Sequence, residues 1–206
     1  MKSPLLQWLL FAAVAVPFAY FGAQIAAAPF FPSYSVLTTS ASDLGSNRSL
    51  QPIILNVGAL LTGVLALLGS VGVGWALPRI GAARMPSWLL AACVASIGLA
   101  AAWAGLHPLP SLEHDPGALG AGMFAAPFVS ALVVWQTKLL RRWRWLFTLN
   151  LAAFAACAWV LSGAAGVNLQ QYGGLAQKLA AAVCFVPPAA IAFLATRLLR
   201  HADGRK

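Results

Sequence analysis

Acidic residues are almost missing from this chain. Among 206 residues there are four, Asp43, Glu113, Asp115 and Asp203, and all charged residues together make up 8%. A soluble domain carries roughly 25% charged residues, so the usual water-facing surface cannot be assembled here. Cysteine is scarce as well. Cys93, Cys157 and Cys184 each sit in an apolar segment, with no local spacing for a metal. An odd number on separate segments predicts buried small hydrophobes rather than a disulfide framework. No G-x-S-x-G elbow and no phosphate-binding glycine loop occurs, which removes the usual sequence marks of an α/β-hydrolase or a nucleotide site.

What is present in excess is uncharged length. Six stretches without Asp, Glu, Lys or Arg fill the chain: Ser3–Ser42, Ser49–Pro78, Met85–Leu112, Pro116–Thr137, Trp145–Gln177 and Leu179–Thr196. About 20 apolar residues cross a hydrocarbon core, and backbone groups in lipid find no water partner, so spanning segments of this kind are helical. The fold class expected is therefore all-α: an integral membrane bundle of six transmembrane helices. Short loops leave no room for a second folded unit, so residues 1–206 read as one domain.

The basic residues are sorted by side. The N-terminus, the loop after span two, the loop after span four and the C-terminus hold Lys2, Arg79, Arg84, Lys138, Arg141, Arg142, Arg144, Arg197, Arg200, Arg205 and Lys206, against Arg48 and Lys178 on the other side, a split of 11 to 2. Basic residues in short loops mark the cytoplasmic face. Both termini are thus expected in the cytoplasm, in a bacterial inner membrane, with loops 1, 3 and 5 outside. The net charge of +9 does not point to nucleic acid, because the cations lie in membrane-flanking loops rather than along a soluble face. The run Lys138-Leu-Leu-Arg-Arg-Trp-Arg-Trp145 interleaves bases with Trp and suits anionic headgroups. At the N-terminus, Lys2, the apolar run from Leu5 and Ala26-Ala27-Ala28 imitate a secretory signal. The run continues past Ile25, which favours an uncleaved first helix.

Helices are expected over about Pro4–Ala28, Pro52–Pro78, Pro86–Leu106, Pro116–Gln136, Trp145–Gly163 and Gly174–Arg200, with bends at Pro17 and Pro127 and a break or bend at Pro187-Pro188. Short connections predict that sequential helices are antiparallel neighbours. Small residues such as Gly58, Gly63, Gly69 and Gly72, and the stripe Ala92, Ser96, Ala100, Ala104, predict close helix contacts. Phe31 and Tyr34 in the long first loop are expected at headgroup level. The spans contain no histidine for a haem and no ionisable group of the kind an ion-coupled pump uses. Asn56 and Asn150, the main polar side chains inside, read as interhelical hydrogen bonders.

Chemistry can reside only on the outer face. Asp43 lies in loop 1, and His107, Glu113, His114 and Asp115 lie in loop 3, with Lys178 near the outer start of the last helix. Histidine and carboxylate bind zinc or move protons. One reading is therefore a metal-dependent hydrolase or lipid-remodelling enzyme using His107, His114 and Asp115. No cofactor is expected otherwise. The plainer reading needs fewer assumptions. Asp43 caps a turn and pairs with Arg48, His107 sits in the rigid His-Pro-Leu-Pro turn, and Asp115 caps the helix that starts at Pro116. Without the H-x-x-x-H helical pair, the balance lies with structural or ligand-orienting roles over catalysis. A third reading is an accessory subunit packed against a membrane-protein partner.

The string Tyr34-Ser-Val-Leu-Thr-Thr-Ser-Ala-Ser-Asp-Leu-Gly45, followed by Pro52, Asn56-Val-Gly58 and Gly63, resembles the Ser-Asp-Leu-Gly signature of a prokaryotic six-helix membrane family, domain of unknown function nine-nine-eight. Gly105-Leu-His-Pro108, His114 and Gly174-Leu-Ala-Gln-Lys178 continue the similarity, with Lys178 where that family usually has Arg. The resemblance implies a six-helix bundle and assigns no activity. That family is in turn similar to the FRAG, DRAM and Sfk-type proteins, whose association with lipid-anchor remodelling and membrane stress would come here by analogy alone. Together these readings make the chain a multi-pass membrane protein whose outer face recognises or positions a lipid or small ligand. The candidate binding residues are Asp43, Asn56, His107, His114, Asp115 and Lys178, and the expected partners are membrane lipids.

Overall fold

The computed structural model describes residues 4–203; Lys2, Arg205 and Lys206 of the basic set lie outside the described residues. Seven α-helices and no strands are found among them: α1 Pro4–Ala27, α2 Ala41–Leu44, α3 Pro52–Ala76, α4 Arg84–Leu106, α5 Ala121–Gln136, α6 Arg144–Leu161 and α7 Leu169–Asp203. All but the short α2 are long and apolar enough to cross a membrane, α5 and α6 together with the 3₁₀ turns that precede them, as Gly117–Gln136 and Lys138–Leu161. The all-helical bundle read from the sequence is the fold observed.

Helix ends follow local chemistry. Pro52 opens α3, where its missing N–H costs nothing. The chain reaches α5 through a 3₁₀ turn over Gly117–Gly120 rather than directly from Pro116, with Gly117 at φ +54°. The last helix starts five residues earlier than its glycines suggested, at Leu169, where the Asn168 side chain accepts the Gln170 N–H at 3.0 Å. It then runs unbroken through Pro187 and Pro188.

That continuity has a visible cause. Pro187 cannot donate to the carbonyl of Val183, four residues back. An unpaired carbonyl in lipid costs several kcal/mol. Asn150 of α6 supplies the missing donor, its Nδ2 lying 3.0 Å from Val183 O. The interhelical role read for Asn150 is thus realised on a proline-orphaned carbonyl.

Sequential helices pack as neighbours, and α7 returns to pack on α1 and α5. The helices α1, α3, α4, α5 and α7 form a ring, and α6 lies outside it against α5 and α7. The tightest seams are glycine seams. A side chain at Gly69 would meet the Ala13 backbone at 2.6 Å, and Gly63 and Gly98 each lie within 2.9 Å of the other's carbonyl by the same measure. Along α6, Phe147 is the buried residue.

Alternate loops gather at opposite ends. At one end Leu10, Ile80, Leu140 and Leu194 share a buried cluster. At the other, Ala27, Phe31, Leu44 and Leu55 form a smaller one. Phe31 is buried under its own loop, which folds back through a Leu50 N–H to Phe30 O bond of 2.9 Å. Tyr34 remains exposed.

Candidate functional site

The first loop is a built structure, and α2 is its centre. Ser40 and Asp43 close a capping box: Ser40 Oγ accepts from Asp43 N at 3.1 Å, while Asp43 Oδ2 accepts from Ser40 N at 2.9 Å and from Ser40 Oγ at 2.7 Å. The other Asp43 oxygen faces Arg48 Nη1 at 3.4 Å. Both roles read for Asp43, cap and partner of Arg48, are what it does.

Two helices hold this loop in place. From α3, Asn56 Nδ2 donates to Gly45 O at 3.1 Å. A Cβ on Gly45 would collide with Asn56 Oδ1, so the glycine of Ser-Asp-Leu-Gly is needed for this approach. Asn56 therefore bonds a loop, not another helix. From α7, Gln177 Oε1 accepts from Ala41 N at 2.8 Å, and Leu175 N donates to Leu37 O at 3.0 Å. Lys178 Nζ donates to Thr39 O at 2.5 Å and to Gly174 O at 3.2 Å. Lys178 is a clasp between α7 and the loop, with its cation on backbone carbonyls.

The third loop supplies the histidines. His107 Nδ1 pairs with Glu113 Oε2 at 2.9 Å, and its ring lies 4.3 Å from that of Trp103. Asp115 Oδ1 accepts from Gly117 N at 2.9 Å, closing a local turn before α5. His114 reaches across to loop 1: Nδ1 lies 2.8 Å from His107 O, and Nε2 lies 2.8 Å from Ser42 Oγ. His107, His114 and Asp115 thus face three different partners. Among the described residues, no group of three His, Cys, Asp or Glu side chains is gathered to hold a metal ion.

Between α1, α3 and α4, directly under these loops, lies a cavity of about 90 Å³. Its walls are apolar, including Tyr20, Ala23, Leu55, Ala59, Ala101 and Ala104. Its polar lining side chains include Ser42, Asn56 and His114. Of the residues singled out from the sequence, Asn56 and His114 meet here, while Asp43, His107, Asp115 and Lys178 brace the loops around them.

Ser42 was missed in the sequence. It sits inside the Ser-Asp-Leu-Gly string, where the acid drew attention, and no spacing rule relates position 42 to position 114. The signal that could have found it is the string itself: a hydroxyl beside a capping acid on the same face as two histidines.

No curated protein and no solved structure matches the chain. A family model does match, over residues 13–194, from α1 to deep within α7. The six long apolar helices mark an integral membrane protein, and the chain is a member of the DUF998 family, described as of unknown function.

Proposed function

We propose that this protein binds an amphiphile, a membrane lipid or a lipid-like small molecule, at the loop-1 and loop-3 end of the bundle, and that this end faces away from the cytoplasm. One observation carries the reading: the cavity under the loops is apolar along its helical walls and polar where Ser42, Asn56 and His114 close it. An amphiphile has the same division; the cavity, at about 90 Å³, takes the few atoms at the junction of head and chain, and the rest of the chain lies outside it, since whole drug-sized ligands fill roughly 300–1,000 Å³. The bracing around the mouth supports a pre-formed site, which lowers the ordering cost of binding. The side assignment rests on the basic end, where Arg79, Arg84, Lys138, Arg141, Arg142 and Arg144 flank the helices.

The test is photo-crosslinking in membranes with a phospholipid that carries a diazirine in its acyl chain. Peptides containing Ala59 or Ala101 should be labelled. Ala104→Trp, which fills the cavity, should cut that labelling at least tenfold while the protein stays folded. Labelling that ignores the tryptophan would reject the reading. Cysteines placed in loop 1 should react with an impermeant maleimide from outside intact cells.

The accessory-subunit alternative has one observation in its favour, the poorly covered α6. A second protein would sit there, and crosslinkers placed at Leu149 and Trp159 would capture the same protein partner. Capture of lipid alone from both positions counts against it.

A further inference from the structure

We infer that Ser42 and His114 form a nucleophile–base pair for acyl transfer at the head of the cavity. The inference rests on the amphiphile-binding reading and gives it a chemistry: the ligand is an acyl ester, and the reaction is cleavage or transfer of its acyl group.

The geometry is that of an activated serine. A backbone carbonyl can only accept, so the 2.8 Å contact from His114 Nδ1 to His107 O fixes the proton on Nδ1. In the neutral ring Nε2 is then the acceptor, and the proton across the 2.8 Å contact belongs to Ser42 Oγ. The serine hydroxyl thus faces a base, and the base is oriented by a third group, the arrangement that activates nucleophiles on unrelated folds. Here the orienting group is a carbonyl in place of a carboxylate. His107 is itself held by Glu113 at 2.9 Å, so the orienter is anchored too.

The surroundings select the class of substrate. Both side chains line the cavity, and no Lys or Arg is found among its lining residues. A phosphoryl group would want cations or a metal, whereas an acyl carbonyl on an alkyl chain suits alanine walls. In the first step Ser42 Oγ attacks the carbonyl carbon while its proton passes to His114 Nε2. The tetrahedral adduct then collapses. The bond to the leaving alkoxide breaks, that oxygen takes the proton from His114, and Ser42 carries the acyl group as an ester. Water or an alcohol, deprotonated by His114, attacks this ester, and Ser42 Oγ recovers the proton as the acyl group departs. Asn56 lines the same cavity, and the second Nδ2 proton, the one not given to Gly45 O, is the donor on hand for the oxyanion.

A purely structural Ser42–His114 contact would tie the two loops together and react with nothing. Fluorophosphonate probes with short and long alkyl chains, applied to the protein in native membranes, separate the two. The expected result is a stoichiometric adduct mapped by mass spectrometry to Ser42. It should be absent in Ser42→Ala and slowed by about 10²-fold or more in His114→Asn, which keeps a donor toward His107 O but removes the base. Ser162→Ala, in the loop before α7, should label as wild type. No adduct with either probe, or an adduct as fast in His114→Asn as in wild type, overturns the pair. Lipid crosslinking at Ala59 or Ala101 run on the same samples keeps the two ideas apart: crosslinking without an adduct sinks the nucleophile and leaves the binding site standing, while loss of both sinks both.

Discussion

The two ends of the bundle differ in their acids. At the loop-1 and loop-3 end every described acid is matched locally: Asp43 by Ser40 and Arg48, Glu113 by His107, Asp115 by the Gly117 N–H. At the other end the described contacts of the cations are with carbonyls and rings, contacts that Lys178 makes on carbonyls and Arg48 on the Phe31 ring at the first end beside the acids. Arg79 and Arg144 donate to the carbonyls of Trp75 and Trp135, and Arg142, Arg144 and Arg197 lie over the rings of Trp143, Trp135 and Phe193 at 5.1–5.6 Å. Mutual pairing fixes side chains in one geometry, which a binding or reacting site requires. Cations on carbonyls and ring faces keep their charge free for anionic headgroups, which an anchor requires. On the proposed reading, the first end holds a ligand and the second meets a membrane surface.

The contrast can be broken by experiment, and the largest effect belongs to the seam that both ends share. Gly69→Leu would drive a side chain into the Ala13 backbone, 2.6 Å from where its Cβ begins. We expect a loss of about 3 kcal/mol or an unfolded product, at the upper end of overpacking costs, read by thermal unfolding in detergent. An unchanged midpoint would mean that α1 and α3 are not packed this closely.

Next comes the clasp. Lys178→Met leaves Thr39 O and Gly174 O without their shared cation. A loss of about 1–3 kcal/mol is expected for the unsatisfied partners, with faster hydrogen exchange confined to residues 37–45. Faster exchange spread evenly over the bundle would instead assign Lys178 to global stability.

Asn150→Leu removes the donor to Val183 O. We expect about 0.6–2 kcal/mol, seen as loosened α6 with the ring helices undisturbed. The smallest stability effect should come from the basic end. Arg142→Gln ought to move unfolding by less than about 0.5 kcal/mol, yet weaken association with anionic vesicles by about 1 kcal/mol, roughly fivefold. If Arg142→Gln destabilised the fold as much as Lys178→Met, the distinction between the two ends would be lost.

Loops 1 and 3 show where sequence reasoning stopped. Asp43 could be read as a cap because a capping box is a local pattern, completed within four residues. Asp115, read as the cap of a helix from Pro116, instead closes a turn onto the Gly117 N–H, and the 3₁₀ turn that follows has no side-chain cap. The burial of Phe31 was not legible, because it depends on the bond between Leu50 and Phe30 that folds the loop back over it. The start of α7 was placed too late because Gly173 and Gly174 look like a helix boundary. Gly174 is inside the helix because Thr39 O comes within 2.5 Å of where a Cβ would be.

Sequence alone determined the solvent, the number of long apolar helices and the sorting of charge, since each follows from local quantities: the transfer of uncharged side chains into lipid, and the cost of moving a cation across it. Tertiary structure alone decided which helix stands outside the ring, which carbonyl Asn150 rescues, and that a serine at position 42 would meet a histidine 72 residues later. Those outcomes depend on contacts between segments far apart in the chain, and no periodicity or spacing along one strand of sequence encodes the direction in which two side chains finally point.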